Sequence, residues 1–494
     1  MKTLKYLLLS SALVAVLFTT GCESLEVKNL NDPDFEAAFS QPSDVKGVAA
    51  SLINTWYMTV TNYDGMPLML WVGADAGTCS WGNCAMRDFS YEPRIAWDNH
   101  AAYSNAITTE NTYKWLYAGL ASANEVLQKV ELGDMEIDDG ESNAMVTAVS
   151  HLAQALNLGY LGLLFDKAFI TTEYTDLTTT LEVSPWEDVI DTALVCVDKC
   201  IALCESNTFT VPEDWVPGVT LTNVTLGQLA NTFGAILMSY SPRNKTQNDA
   251  VDWAKVGSYA NKGLTYDFSP LQDDITWYNL YVTYGDYGGW GQTDMRLVNM
   301  MDSRFPAHWA SADTWNDLPD PIDAHVDGID DRIFTDFEYL STCGFRVERG
   351  YYHFSCYRQS RYDDYLATWT TPLPYFMKAE NDLLKAEALM HQSQYGQAAD
   401  IINAGTRVTR GGLAPIGATA TEVENAIFYE RNIELHVTGL GVEYFTMRKA
   451  DKLQSGTPLH LPIPGQQLEV NLMDYYTFGP DEGTAGQDYS TGGW

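Results

Sequence analysis

Residues 375–389 read YFMKAENDLLKAEAL. Ala379, Leu383, Leu384, Ala386 and Leu389 recur at three- and four-residue spacing, the period of one face of an amphipathic helix, and Glu387 lies within that pattern. Residues 394–407 follow after a short link and form its partner, giving a helical hairpin. The same grammar recurs on both sides. Upstream, helices are expected over 45–58, 99–130, 144–165, from Pro185 to about Cys204, and over 225–240 and 251–264; downstream, a last one covers 420–439. Ser184-Pro185-Trp186-Glu187 reads as a helix start, with Ser184 as N-cap and Glu187 completing a capping box. The pairs recur without a fixed sequence period. The expected fold class is therefore mainly α: a helical-hairpin scaffold over 45–60, 99–264 and 375–440.

Two stretches break the helical pattern. Residues 65–97 contain a short apolar run, Leu68 to Val72, then Gly73, Gly77, Gly82 and Pro93 among Asp75, Cys79, Trp81, Asn83 and Cys84. Residues 266–374 are rich in Trp, Tyr, Gly, Asp and Pro, and residues 284–291, YGDYGGWG, are almost wholly turn formers and aromatics. Such stretches are expected to form one irregular lobe, and long loops in compact domains often carry function.

The amino terminus has the layout of a secretory leader. Lys2 and Lys5 precede an apolar run from Leu7 to Phe18, and Gly21-Cys22 closes it. The ending resembles a bacterial lipobox, in which the cysteine is lipidated. The expectation is a leader over 1–21 and a domain over 22–494 anchored through Cys22. No later apolar run is long and clean enough to span a bilayer.

The formal charge is −36, with 65 acidic against 29 basic residues. Such a surface repels phosphate backbones, which argues against nucleic acid as a partner. Some of the 29 Tyr and 14 Trp belong to the core, while an excess of them in loops suggests a binding surface, because each offers a rigid flat face with a polar edge. Cys196, Cys200 and Cys204 recur every four residues; spanning more than two turns, they read as small core residues rather than metal ligands. Cys343 and Cys356 flank a turn at Arg349-Gly350, where a cross-strand disulfide and two free thiols are both open, and Cys79 and Cys84 share a loop in which they could pair.

The carboxy-terminal third resembles the SusD/RagB family of surface nutrient-binding lipoproteins. The resemblance rests on Glu380 with Leu383 and Ala386-Glu387-Ala388, on Asn403, Arg407, Arg410 and Gly411, on Glu430-Arg431, Glu434-Leu435, Gly439 and Arg448, and on Leu461-Pro462-Ile463-Pro464 with Glu469 and Asn471. Ser122-Ala123-Asn124 and the helix start at Asp252-Trp253 also fit, and Asp330-Asp331-Arg332 is similar to a structural motif of the family. Thr438, Gly441 and Gln154 stand where the family usually carries Glu, Arg and Arg. The resemblance implies four helix-hairpin units of the tetratricopeptide type beside an irregular ligand-binding lobe. It also implies attachment to the outer membrane, facing outward, beside a SusC-like TonB-dependent transporter.

The charges Glu380, Glu387, Arg407, Arg410, Glu430, Arg431 and Glu434 sit on neighbouring helices. They read as an ion-pair network rather than a catalytic carboxylate pair. Hydrolase, metalloprotease and phosphate-binding signatures are absent from the sequence. Binding without chemistry is thus expected, with a glycan as ligand: a sugar's apolar face stacks on Trp or Tyr while polar side chains bond its hydroxyls. The candidate contacts are Trp81, Tyr287 and Trp290, then Trp277 and Trp309, with Asp75 and Asn83 as polar help. For each aromatic the competing reading is core packing. A peptide ligand on the same scaffold is the alternative, and a lipid-anchored glycoside hydrolase a remoter one. No catalytic residue, metal or cofactor is assigned; Ca2+ in the acidic loop 313–331 is left open, with a solvated loop favoured.

Overall fold

The computed structural model describes residues 39–79, 81–308, 318–341, 354–480 and 488–493. The expected leader, Cys22, Trp309 and Cys343 lie outside these residues. The principal helices are α1 (Pro42–Val60), α2 (Pro67–Gly73), α3 (Ile107–Leu127), α4 (Asn143–Leu164), α5 (Trp186–Ser206), α6 (Asn223–Tyr240), α7 (Trp253–Asn261), α8 (Lys378–His391), α9 (Tyr395–Ala404), α10 (Ala420–Ile433) and α11 (Val442–Lys449). The fold is mainly α.

Helix α4 is buried on every side from Met145 to Leu164. A helix apolar all round belongs at the centre of a core, and α1, α3, α5 and α6 pack around it. Pairing runs α3 with α4, α5 with α6 and α7 with α8; α8 also packs on α9, the hairpin expected from the sequence, and α10 lies against both. The third pair is not contiguous in sequence. The chain leaves after α7, builds the irregular lobe, and re-enters before α8. Its two crossings lie side by side: Phe268 N donates to Phe376 O at 2.8 Å and Tyr375 N to Phe268 O at 2.9 Å.

Cys196, Cys200 and Cys204 are buried along α5, as their spacing suggested. Asp252 caps α7 by accepting from the Lys255 amide at 3.0 Å. The helix start at Ser184 does not form as expected. Ser184 instead pairs with Ala168 where strand β2 (Lys167–Phe169) meets β3 (Val183–Pro185), so the N-cap passes to Pro185 and no side chain caps α5. The run Leu68 to Val72 is no loop. With Pro67 in its first turn it forms α2, every residue of which is buried.

The charged network ties lobe to scaffold. The buried Arg332 guanidinium reaches Asp330 at 2.7 Å, Glu430 at 2.8 Å and Glu434 at 3.0 Å. Arg410 bridges Glu434 and Asp336, both at 2.7 Å, and Arg361 also meets Glu434. Glu387 accepts from Arg431 at 2.7 Å and Lys449 at 2.6 Å. These carboxylates are consumed by structural partners. Glu380 stands apart: fully buried, it accepts from the Tyr240 hydroxyl at 3.1 Å, and burial pushes its carboxyl up to about 7. Gly441 opens α11 at φ +76°, where an arginine would be strained; a Cβ there would also meet the Phe445 ring at 2.8 Å.

Candidate ligand-binding face

The two irregular stretches meet. Strand β1 (Gly77–Thr78) pairs antiparallel with β4 (Gln292–Thr293), Gly77 opposite Thr293. The strands lie directly on the buried indole of Trp71 from α2. A Cβ on Gly77 would sit 2.0 Å from that ring, and one on Gly291 2.7 Å from it, so both positions need glycine for the backbone to approach so closely.

This junction gathers an aromatic cluster. Trp290 makes edge contacts with Tyr284 at 5.1 Å, Tyr63 at 5.7 Å and Trp81 at 6.0 Å between ring centroids. Tyr63 and Tyr284 meet at 4.3 Å. The Trp81 indole N–H donates to the Gly289 carbonyl at 3.0 Å, fastening one loop to the other. Asn83 donates to the Tyr63 hydroxyl, and burial pushes the neighbouring Cys84 thiol up to about 12. Trp81 is 41% and Tyr287 58% exposed. Trp290 is half-buried beneath them.

Beside the cluster runs an open groove of about 860 Å³, lined by Tyr287, Gly288, Gly289, Tyr339, Arg358 and Asp363 among others. Strands β5 (Phe337–Tyr339) and β6 (Tyr357–Gln359) form one wall. Arg358 is clamped between Asp363 at 2.7 Å and Glu338, and those carboxylates hold its guanidinium above its ordinary range. At the groove lies Asp286, fully buried, whose two carboxyl oxygens find no hydrogen-bond partner among the described residues. Burial, followed by the charge of Asp363, pushes its carboxyl well above the usual carboxylate range.

Of the residues singled out from the sequence, Trp81, Asn83, Tyr287 and Trp290 come together here. Asp75 does not join them. It is buried, held by Arg94 at 2.7 Å, while its carbonyl accepts from Arg296 at 2.9 Å. Trp277 is also interior, 3% exposed and packed on Tyr57 at 5.1 Å, where core packing prevails. Cys79 and Cys84 do not form a disulfide with each other. Part of the acidic loop lies outside the described residues. Within its remainder Asp330 is committed to Arg332, and Asp331 to His325 at 2.8 Å. Tyr63, Arg358, Asp363 and Asp286 were not anticipated; Asp286 lay in the aromatic YGDYGGWG stretch, but only the fold sets it beside Arg358.

No family model and no curated protein matches the sequence. Solved structures do match. A SusD-superfamily protein from Parabacteroides distasonis aligns with a TM-score of 0.62 at 15% identity, over 86% of this chain and 98% of that one. A SusD homologue from Bacteroides thetaiotaomicron gives 0.57 at 13%, over 89% and 97%. A SusD-like carbohydrate-binding protein from Bacteroides fragilis gives 0.57 at 11%, over 83% and 86%. At such identities the likeness is one of architecture: this chain has the SusD-like fold.

Proposed function

We propose that the protein captures an oligosaccharide or polysaccharide on the aromatic face and passes it to a SusC-like TonB-dependent outer-membrane transporter. The observation that carries this reading is the convergence of Trp81, Tyr287 and Trp290. Trp81 comes from one chain segment and Tyr287 and Trp290 from another far from it in sequence, and β1 and β4 hold the two together beside a groove with its own charged side chains. Exposed Trp and Tyr faces suit the apolar side of a sugar ring, and Arg358 and Asp363 suit its hydroxyls. The fold shared with a protein described as carbohydrate-binding supports the same ligand class.

The reading is one of binding without catalysis. The paired carboxylates of the scaffold are buried and already engaged by Arg and Lys. Lipidation at Cys22 would hold the domain on the outer membrane, facing outward; no described helix is long and apolar enough to cross a membrane.

Calorimetry of residues 23–494 against a polysaccharide panel and a peptide digest tests the proposal. Heat from a glycan, with its affinity weakened roughly fivefold in a Tyr287→Ala variant, is the expected result. Heat from peptides alone moves the assignment to peptide capture, and release of shortened sugars would make the protein a hydrolase.

A further inference from the structure

Away from the aromatic face, α3 continues past Leu127 into a single π-type turn, Gln128–Leu132. That turn brings Glu131 against His151 of α4, which is 1% exposed. Glu173, also buried, approaches from the segment after β2, and one atom from each of the three residues falls within 4.8 Å of the other two.

The hydrogen bonds fix which imidazole nitrogen carries a proton. Gln154 Nε2 donates to Glu173 Oε2 at 2.6 Å and to Asn124 Oδ1 at 2.7 Å. A carboxylate accepts only, so the amide cannot be turned round. Its Oε1 must therefore face His151 Nδ1, at 2.9 Å, and Nδ1 bears the hydrogen. His151 Nε2 then points its remaining position at Glu131 Oε1, 3.1 Å away. Lone pair against carboxylate is repulsive unless a cation lies between them. An imidazole whose Nδ1–H is bonded to a side-chain carbonyl while Nε2 faces carboxylates is arranged as a metal ligand with its supporting hydrogen bond.

We propose that Glu131, His151 and Glu173 form a Zn2+ site. One imidazole nitrogen and two carboxylate oxygens suit Zn2+, with water as a fourth ligand, whereas Ca2+ and Mg2+ prefer all-oxygen sets. Glu173 keeps acceptor capacity for a metal beside its contacts to Gln154 and to Lys199 at 2.6 Å. Metal–ligand bonds of roughly 2.1 Å set ligand atoms roughly 3.4 Å apart in a tetrahedral site, close to the 3.1 Å that already separates His151 Nε2 from Glu131 Oε1, so the remaining adjustment is the approach of Glu173. Bound zinc would staple α3 to α4 and to the segment carrying Glu173.

The test is calorimetric titration of chelator-treated residues 23–494 with ZnCl2 at pH 7.5, beside Glu131→Gln and His151→Gln and with CaCl2 and MgCl2 as controls. One Zn2+ per chain is expected, weakened at least tenfold by E131Q and abolished by H151Q, with a Zn2+-dependent rise in melting temperature in the parent alone. E131Q changes a surface carboxylate and keeps the test valid if H151Q does not fold. No zinc binding, binding that both variants retain, or equal binding of Ca2+ would overturn the site and leave a proton shared between His151 and Glu131.

Discussion

Trp81 and Gly289 are joined by one hydrogen bond, indole N–H to main-chain carbonyl at 3.0 Å, across 208 residues of sequence. It does two things. It orients the indole so that a ring face stays exposed, and it anchors the loop on which Tyr287 stands. Trp81→Phe keeps a ring but loses the donor, so it should weaken glycan binding by loosening both rings. Tyr287→Ala removes stacking area alone. Each ring contact is worth about 1 kcal/mol, roughly fivefold in affinity, and titration calorimetry with an unchanged circular dichroism spectrum checks both.

Trp71 lies under the junction of β1 and β4, and Gly77→Ala should disrupt it. The added methyl has no room against the indole. Overpacking of this kind costs about 1–3 kcal/mol. Thermal melting should show the loss, and glycan binding should fall while most helical content is kept, because the principal helices other than α2 lie elsewhere.

Arg332 is the hub between lobe and scaffold. Arg332→Met leaves Asp330, Glu430 and Glu434 buried with one cation fewer. Breaking a buried ion pair from one side costs about 3–5 kcal/mol. Denaturant unfolding should register a loss of that order; a change under 1 kcal/mol would show the network to be dispensable.

Glu380 gives the fold a pH dependence of its own. Burial raises its carboxyl from the ordinary 4.5 to about 7. Below the unfolded value both states are protonated and no penalty arises. Between the two values only the folded state holds the proton, so stability falls as pH rises through this window. Glu380→Gln keeps an acceptor for Tyr240 and cannot ionise. It should match the parent at pH 4 and exceed it by about 1–3 kcal/mol at pH 8, as paired melting curves would show.

The helices were legible because their period is local. Ala379, Leu383 and Leu384 declare a buried face within two turns, and α8 runs over Lys378–His391. Elements whose cause lies elsewhere were not. The capping signal at Ser184 lost to strand pairing with a partner 16 residues back. The run after Pro67 reads equally as loop or helix until its burial on all sides is known. The aromatic face was half legible. Composition marked both loops, but a loop tryptophan's exposure depends on its neighbours: Trp277 found Tyr57 and sank, while Trp81 found a carbonyl at the surface. Asp75 was misread for the same reason, since nothing local announces Arg94 as its partner.

The doorway at Phe268 and Phe376 has a further consequence. The longer irregular stretch, 266–374, enters and leaves the helices at one point, its two ends already side by side. Lengthening a loop whose ends are fixed costs only with the logarithm of its length. The stretch between these ends can therefore change in length at little entropic cost to the helical frame, so long as it still carries Arg332 to Glu430 and Glu434 and β4 to β1.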